Sequence, residues 1–136
     1  MRTIEEILKQ SRTVAVVGLS PRPDRDSNEV ARYLQENGYR VIPVNPNAQE
    51  ILGERCYPSL AAVPGQVDIV DIFRRSEDVP PIVEESIKIG AGVVWMQLNI
   101  VHEKAAQEAR AHGLDVVMDR CTKVEHEALK KSGRLP

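Results

Sequence analysis

The chain has 136 residues, enough for one domain with a full core and too few for two sizeable ones. Charged residues make up 28% and balance to a net charge of −2, which excludes the basic surface that non-specific nucleic-acid binding requires. No apolar run approaches the roughly 20 residues of a membrane span, and the opening Met1-Arg2-Thr3-Ile4-Glu5-Glu6 lacks the basic-then-apolar order of a secretory leader.

Ile4, Ile7 and Leu8 fall at helical spacing, so residues 3–10 read as a short amphipathic helix covering one edge or end of a sheet. Val14-Ala15-Val16-Val17 is an apolar run of the kind that forms a strand buried on both faces. Gly18 and Ser20-Pro21 break it, and Ser27 stands as the expected cap of a helix carrying Val30, Tyr33 and Leu34, stopped at Asn37-Gly38. Tyr39 to Val44 is a second strand, and Pro43 inside it predicts that the strand leaves the sheet there. Pro46 to Leu60 reads as the longest irregular stretch, with one helical turn expected over Ser59 to Val63. A third strand follows over Val67 to Phe73. The helix after it carries Val79, Ile82, Val83 and Ile87, and Pro80 and Pro81 fit only its first turn. Val93 to Met96 is a fourth strand, Ala105, Ala106 and Ala109 mark a small-residue helix, Leu114 to Met118 is a fifth strand, and residues 123–131 close with a weaker helix. Strand and helix thus alternate along residues 1–136, predicting a single doubly wound, Rossmann-like α/β domain with a five-stranded, mainly parallel sheet.

In such a sheet, ligands bind outside the carboxyl ends of the strands, near the point where strand order reverses. Gly18-Leu19-Ser20, Val44-Asn45-Pro46, Phe73-Arg74-Arg75, Gln97-Leu98-Asn99 and Asp119-Arg120-Cys121 occupy those ends. The first corner has the elements of a phosphate site: a glycine that admits close backbone approach and a helix N-terminus with unpaired N–H groups. A dinucleotide fingerprint is not met, because only Gly18 of G-x-G-x-x-G is present and Val44-Asn45-Pro46 offers no carboxylate for a ribose diol. Cys56 and Cys121 form neither a metal spacing nor a CxxC pair, which points to the reducing cytoplasm. Cys121 has His126 five residues on but no third group to orient it, so a small buried thiol is expected rather than a nucleophile. His102 and His112 are read as helix-end residues, and Asp68 and Asp71, three apart on a strand, point to opposite faces.

Gly18-Leu19-Ser20, Gly38-Tyr39-x-Val41-Ile42-Pro43-Val44-Asn45-Pro46, Asp68 to Arg75 and Trp95-Met96-Gln97-Leu98 resemble the small, stand-alone coenzyme A (CoA)-binding-domain proteins. These are similar in fold to the N-terminal domain of the succinyl-CoA synthetase alpha subunit. The resemblance covers about residues 3 to 127 and implies a CoA or acyl-CoA ligand. It implies that Gly18, Leu19, Ser20 and Ser27 meet the pyrophosphate, with Arg22, Arg25, Arg74 and Arg75 as guanidinium donors. Val44, Pro46 and Phe73 would wall the adenine, Asn45 and Pro46 at the end of strand two would suit a ribose that bears a phosphate, and Trp95, Gln97 and Asn99 would stand along the pantetheine arm. Asn99 departs from the glycine the resemblance implies and is expected to narrow that path. The phosphorylated histidine and partner subunit of the synthetase have no counterpart in this sequence, so a binding protein, non-catalytic by itself, is expected; a protein partner is left open. The alternatives are an NAD(P)-linked oxidoreductase or nucleotide sensor on the same fold, and an interaction domain with a vestigial pocket.

Overall fold

The computed structural model describes Met1–Pro136. Seven strands and five helices follow in chain order: α1 (Ile4–Gln10), β1 (Thr13–Val17), α2 (Asp26–Glu36), β2 (Arg40–Val44), β3 (Glu50–Ile51), β4 (Glu54–Arg55), β5 (Ile69–Ile72), α3 (Val79–Lys88), β6 (Val93–Met96), α4 (Glu103–Ala111), β7 (Asp115–Val117) and α5 (Thr122–Lys131). Five strands form one parallel sheet in the order β2-β1-β5-β6-β7. The chain moves outward from β1 to β2, then returns past β1 to β5 and continues the other way. Strand order therefore reverses between β1 and β5, and the crevice of a doubly wound sheet opens there.

Alternate residues of each strand feed two separate cores, as the period of two requires. Ala15, Val70, Ile72 and Val94 pack with Val79 and Val83 of α3 and Ala106 and Ala109 of α4. Val14, Val16, Ile69 and Trp95 pack on the opposite face with Ile7 and Leu8 of α1 and Val30 and Leu34 of α2. α1 opens with the Thr3 hydroxyl accepting from Glu6 N–H and the Glu6 side chain accepting from Thr3 N–H, a reciprocal cap. The two prolines of α3 occupy its first turn, where no N–H partner is lost.

Two expectations are corrected. Pro43 does not end its strand: pairing with β1 runs through Val44 opposite Val17. β2 is an edge strand, and Pro43 sits at an outward position where no sheet partner needs its N–H; its carbonyl accepts from Tyr57 N–H at 3.0 Å. The stretch after it is not irregular, since β3 and β4 form a small antiparallel hairpin, Glu50 opposite Arg55 and Ile51 opposite Glu54. Its two-residue turn holds Leu52 at φ 56° and Gly53 at φ 76°. The single helical turn expected near Ser59 is present as a 3-10 turn, Leu60–Ala62.

Candidate functional site

β1 delivers Gly18 to the crevice at φ +88°, and a Cβ there would lie 2.6 Å from the Phe73 carbonyl oxygen. Glycine is needed on both counts, the left-handed backbone and the close approach of the two strand ends. The loop that follows is held by side chains reaching in from both sides. Ser20 N–H donates to Ser27 Oγ at 3.0 Å, Asn28 Nδ2 donates to the Ser20 carbonyl at 2.9 Å, and Asn45 Nδ2 donates to the Leu19 carbonyl at 2.9 Å. Ser27 is thus not the helix cap. It is the second residue inside α2, its hydroxyl drawn to the loop, while Arg25 takes the cap position without a side-chain hydrogen bond. No side chain caps the start of α2, whose first residues Asp26 and Ser27 border a hollow of about 490 Å³ together with Gly18, Ser20, Arg22, Asp24, Arg25 and Phe73.

Two further hollows adjoin this one. A cleft of about 600 Å³ is walled by Phe73, Arg74, Gln97, Ile100, Cys121 and Val124. A third, of about 340 Å³, lies among Val17, Val44, Pro46, Ser59, Arg74 and Ile82. Phe73 borders the first two and Arg74 the last two, so this dipeptide at the end of β5 is the hub of one continuous surface. Arg74 is exposed and makes no ion pair, whereas Arg75 is engaged with Asp78 at 3.2 Å and Glu77 at 3.7 Å, which raises its pKa, the Asp78 hydrogen bond foremost. Arg22 pairs with Asp24 at 3.1 Å, and Arg25 has no ionic partner. Of the four arginines, Arg25 and Arg74 carry uncommitted charge.

Several expected contacts fall elsewhere. Leu19 and Trp95 are fully buried. The Leu19 side chain is core, so only its backbone borders the loop. The Trp95 indole N–H donates to the Arg120 carbonyl at 2.8 Å and its ring fills the core rather than the cleft wall. Both Asn45 polar atoms are taken, by the Leu19 carbonyl and by Asn47 N–H at 2.8 Å, so Asn45 shapes the loop. Asn99 stands at φ +70°, its N–H donating to Asp119 Oδ1 at 2.6 Å. Asparagine tolerates that left-handed backbone better than most residues, and Asn99 is not among the residues lining the 600 Å³ cleft, whereas Leu98 and Ile100 on either side of it are. Cys121 and His126 do not pair: His126 Nδ1 lies 2.7 Å from the Tyr33 hydroxyl, its ring is edge-on to Tyr33 and Tyr39, and burial lowers its pKa. His102 and His112 sit at helix ends as expected, His102 Nδ1 accepting from Ala105 N–H.

Gln97 borders the cleft from a nearly buried position, 4% exposed. Its Nε2 donates to Asp71 Oδ1 and, at 2.9 Å, to Thr122 Oγ1, and the Thr122 hydroxyl donates to Asp71 Oδ2 at 3.0 Å. Burial pushes the Asp71 carboxyl up to about 7, against the two hydrogen bonds that pull it down. Sequence reasoning did not join these three residues, which are 26 and 51 positions apart. It also missed the α5 wall, where Val124, within the closing helix expected over residues 123–131, is 56% exposed on the cleft. Lys123 Nζ bridges to Glu29 of α2 at 2.9 Å beside it. No three His, Cys, Asp or Glu side chains gather as a metal site, and no helix is long and apolar enough to cross a membrane.

Residues 12–127 match a protein family described as a CoA binding domain. YneT of Bacillus subtilis is 46% identical over 127 residues, covering 93% of this chain and 94% of that protein. A solved structure from Pyrococcus horikoshii OT3 superposes with a TM-score of 0.91 at 45% identity, covering 93% of this chain and 89% of that one. The ADP-forming acetate–CoA ligase II of Archaeoglobus fulgidus is 33% identical over 104 residues, covering 73% of this chain but only 16% of the ligase.

Proposed function

The chain belongs to the CoA-binding-domain family, and from that premise we propose that residues 1–136 act as one unit binding CoA or an acyl-CoA. The carrying observation is the continuous surface at the strand ends, with Phe73 and Arg74 joining three hollows of different character. The pyrophosphate sits at the Gly18–Ser27 corner, where backbone N–H groups and Arg25 offer donors. Arg74 reaches a phosphate from the other side of the crevice. The adenine lies toward Val44 and Pro46, and the pantetheine arm runs along Gln97, Ile100 and Val124 in the larger cleft.

The protein binds without carrying out chemistry of its own, since no nucleophile–base pair faces the surface. Relationship to a ligase that is several times longer supports a role in presenting or sequestering CoA for a partner enzyme. Its two thiols are unpaired, which suits the cytoplasm as the place of action. The nucleotide-cofactor alternative is disfavoured by the end of β2, where no carboxylate stands and Asn45 is fully engaged.

Isothermal titration with CoA, acetyl-CoA and NADH tests the proposal. Saturable binding of CoA or acetyl-CoA, with none of NADH, is the expected result. Tight NADH binding without CoA binding would reverse the assignment, and heat exchange with none of the three would leave only the fold.

A further inference from the structure

A glutamine amide at the edge of a ligand cleft can present either its oxygen or its nitrogen, and the partners behind it decide which. Behind Gln97 both partners demand the nitrogen. Asp71 Oδ1 accepts from Nε2, and Thr122 Oγ1 accepts from it while its own proton goes to Asp71 Oδ2. With both N–H donors spent inside, no protein group donates to the Gln97 oxygen. Ser11 Oγ, far from this cleft, is the one fully buried side-chain polar atom without a partner, so the Gln97 oxygen is not sealed in and meets the open cleft. Asp71 is wholly buried, its carboxylate makes no hydrogen bond outside this cluster, and its strand neighbours Val70 and Ile72 belong to the other core.

We infer that Asp71 and Thr122 are positioning residues that lock the Gln97 amide with its oxygen turned into the cleft, making this end of the site selective for a ligand arm that donates an N–H or O–H. The inference rests on the CoA reading only for the identity of that arm, whose amides and hydroxyl supply such donors. Protonation of Asp71 on Oδ2 keeps the orientation of Gln97: that proton goes to Thr122 Oγ1 and Oδ1 still accepts from Gln97, while the Thr122 hydroxyl proton gives up Asp71 as its acceptor. An asparagine at position 71 preserves the arrangement in the same way, its oxygen toward Gln97 and its nitrogen toward Thr122. An apolar residue does not.

The test compares CoA with 3′-phosphoadenosine 5′-diphosphate, which has the nucleotide but no arm, in the wild type and in Asp71→Asn, Asp71→Leu, Thr122→Val and Gln97→Met. The wild type and Asp71→Asn are expected to share one ratio of CoA to nucleotide affinity. Asp71→Leu and Gln97→Met should lower that ratio by roughly 3- to 10-fold, the size of one net hydrogen bond, and Thr122→Val by less, with nucleotide affinity unchanged throughout. Side-chain amide hydrogen exchange of Gln97 supplies a ligand-free measurement: protection in the wild type and Asp71→Asn, lost in Asp71→Leu and reduced in Thr122→Val. Wild-type binding of CoA with the same ratio in every variant, or a Gln97 amide exchanging like a free glutamine, overturns the inference alone. A wild type that binds neither compound overturns the CoA reading and the ligand half of the inference with it.

Discussion

A methyl group on Gly18 would collide with the Phe73 carbonyl at the floor of the crevice, on a backbone already at φ +88°. Gly18→Ala is therefore expected to cost roughly 1–3 kcal/mol of stability, as left-handed strain and a backbone clash together require; urea denaturation measures it, and an unchanged midpoint would refute the close approach. Arg74 and Arg75 are adjacent in sequence but unequal in circumstance. Arg74→Ala should weaken CoA by at least about 1 kcal/mol, the scale of a charge-assisted hydrogen bond, while Arg75→Ala, already spent on Asp78 and Glu77, should change affinity less than twofold. Titration of the two variants side by side decides this, and equal losses would show that the ion pairs of Arg75 open on binding. Asp71 gives a pH signature. Its carboxyl holds its proton more tightly folded, with a pKa of about 7, than in the unfolded chain, near 3.8. Its contribution to stability is thus largest at and below that lower value and declines as pH rises through 7. Asp71→Asn removes this dependence, so the variant's melting temperature relative to wild type should climb between pH 5 and pH 8. A difference that stays flat across that range would mean Asp71 titrates normally.

Among the elements, what the sequence disclosed and what it hid follow from the range of the forces involved. The five sheet strands and five helices are visible because each buries an apolar face with its own period, and glycine or proline marks their ends. The β3–β4 hairpin was hidden by its turn, where both central residues need φ > 0 and a leucine holds one of the places; asparagine and glycine announce such turns, leucine does not. A serine ahead of an apolar stripe looks like a helix cap, but the Ser27 hydroxyl accepts instead from Ser20 N–H, seven residues back. The strand-end half of the site was readable from fold class alone, whereas the Asp71–Gln97–Thr122 cluster and the α5 wall depend on which strand lies beside which. Ser27→Ala tests the loop as an element. Loss of the Ser20 contact should loosen the corner and weaken both CoA and its nucleotide fragment alike, by about 1 kcal/mol, with a fall in melting temperature of roughly 2–5 °C. Weakening of CoA alone would place Ser27 on the arm instead.

At the scale of the whole molecule, the proposed binding at the crevice would draw on both halves of the sheet, since Gly18 and Ser27 lie on one side of the strand-order reversal and Arg74 and Gln97 on the other. A ligand bound there would stabilise the entire fold. At a hundred times its dissociation constant, CoA should add about 2.7 kcal/mol, a rise in melting temperature of roughly 5–15 °C for a chain of this size. Calorimetry with and without CoA checks this, and an unmoved transition at such a concentration would contradict binding to the native state.

The placement of Pro43 has a consequence for how copies of this protein can meet. One flank of the sheet lacks an amide hydrogen at Pro43 and has that residue's carbonyl oxygen already occupied by Tyr57 N–H, and the other flank, β7, is three residues long. Neither margin offers a run of free backbone on which a neighbour could extend the ladder. Concentrated solutions should accordingly resist fibrous stacking through the edges of this five-stranded sheet.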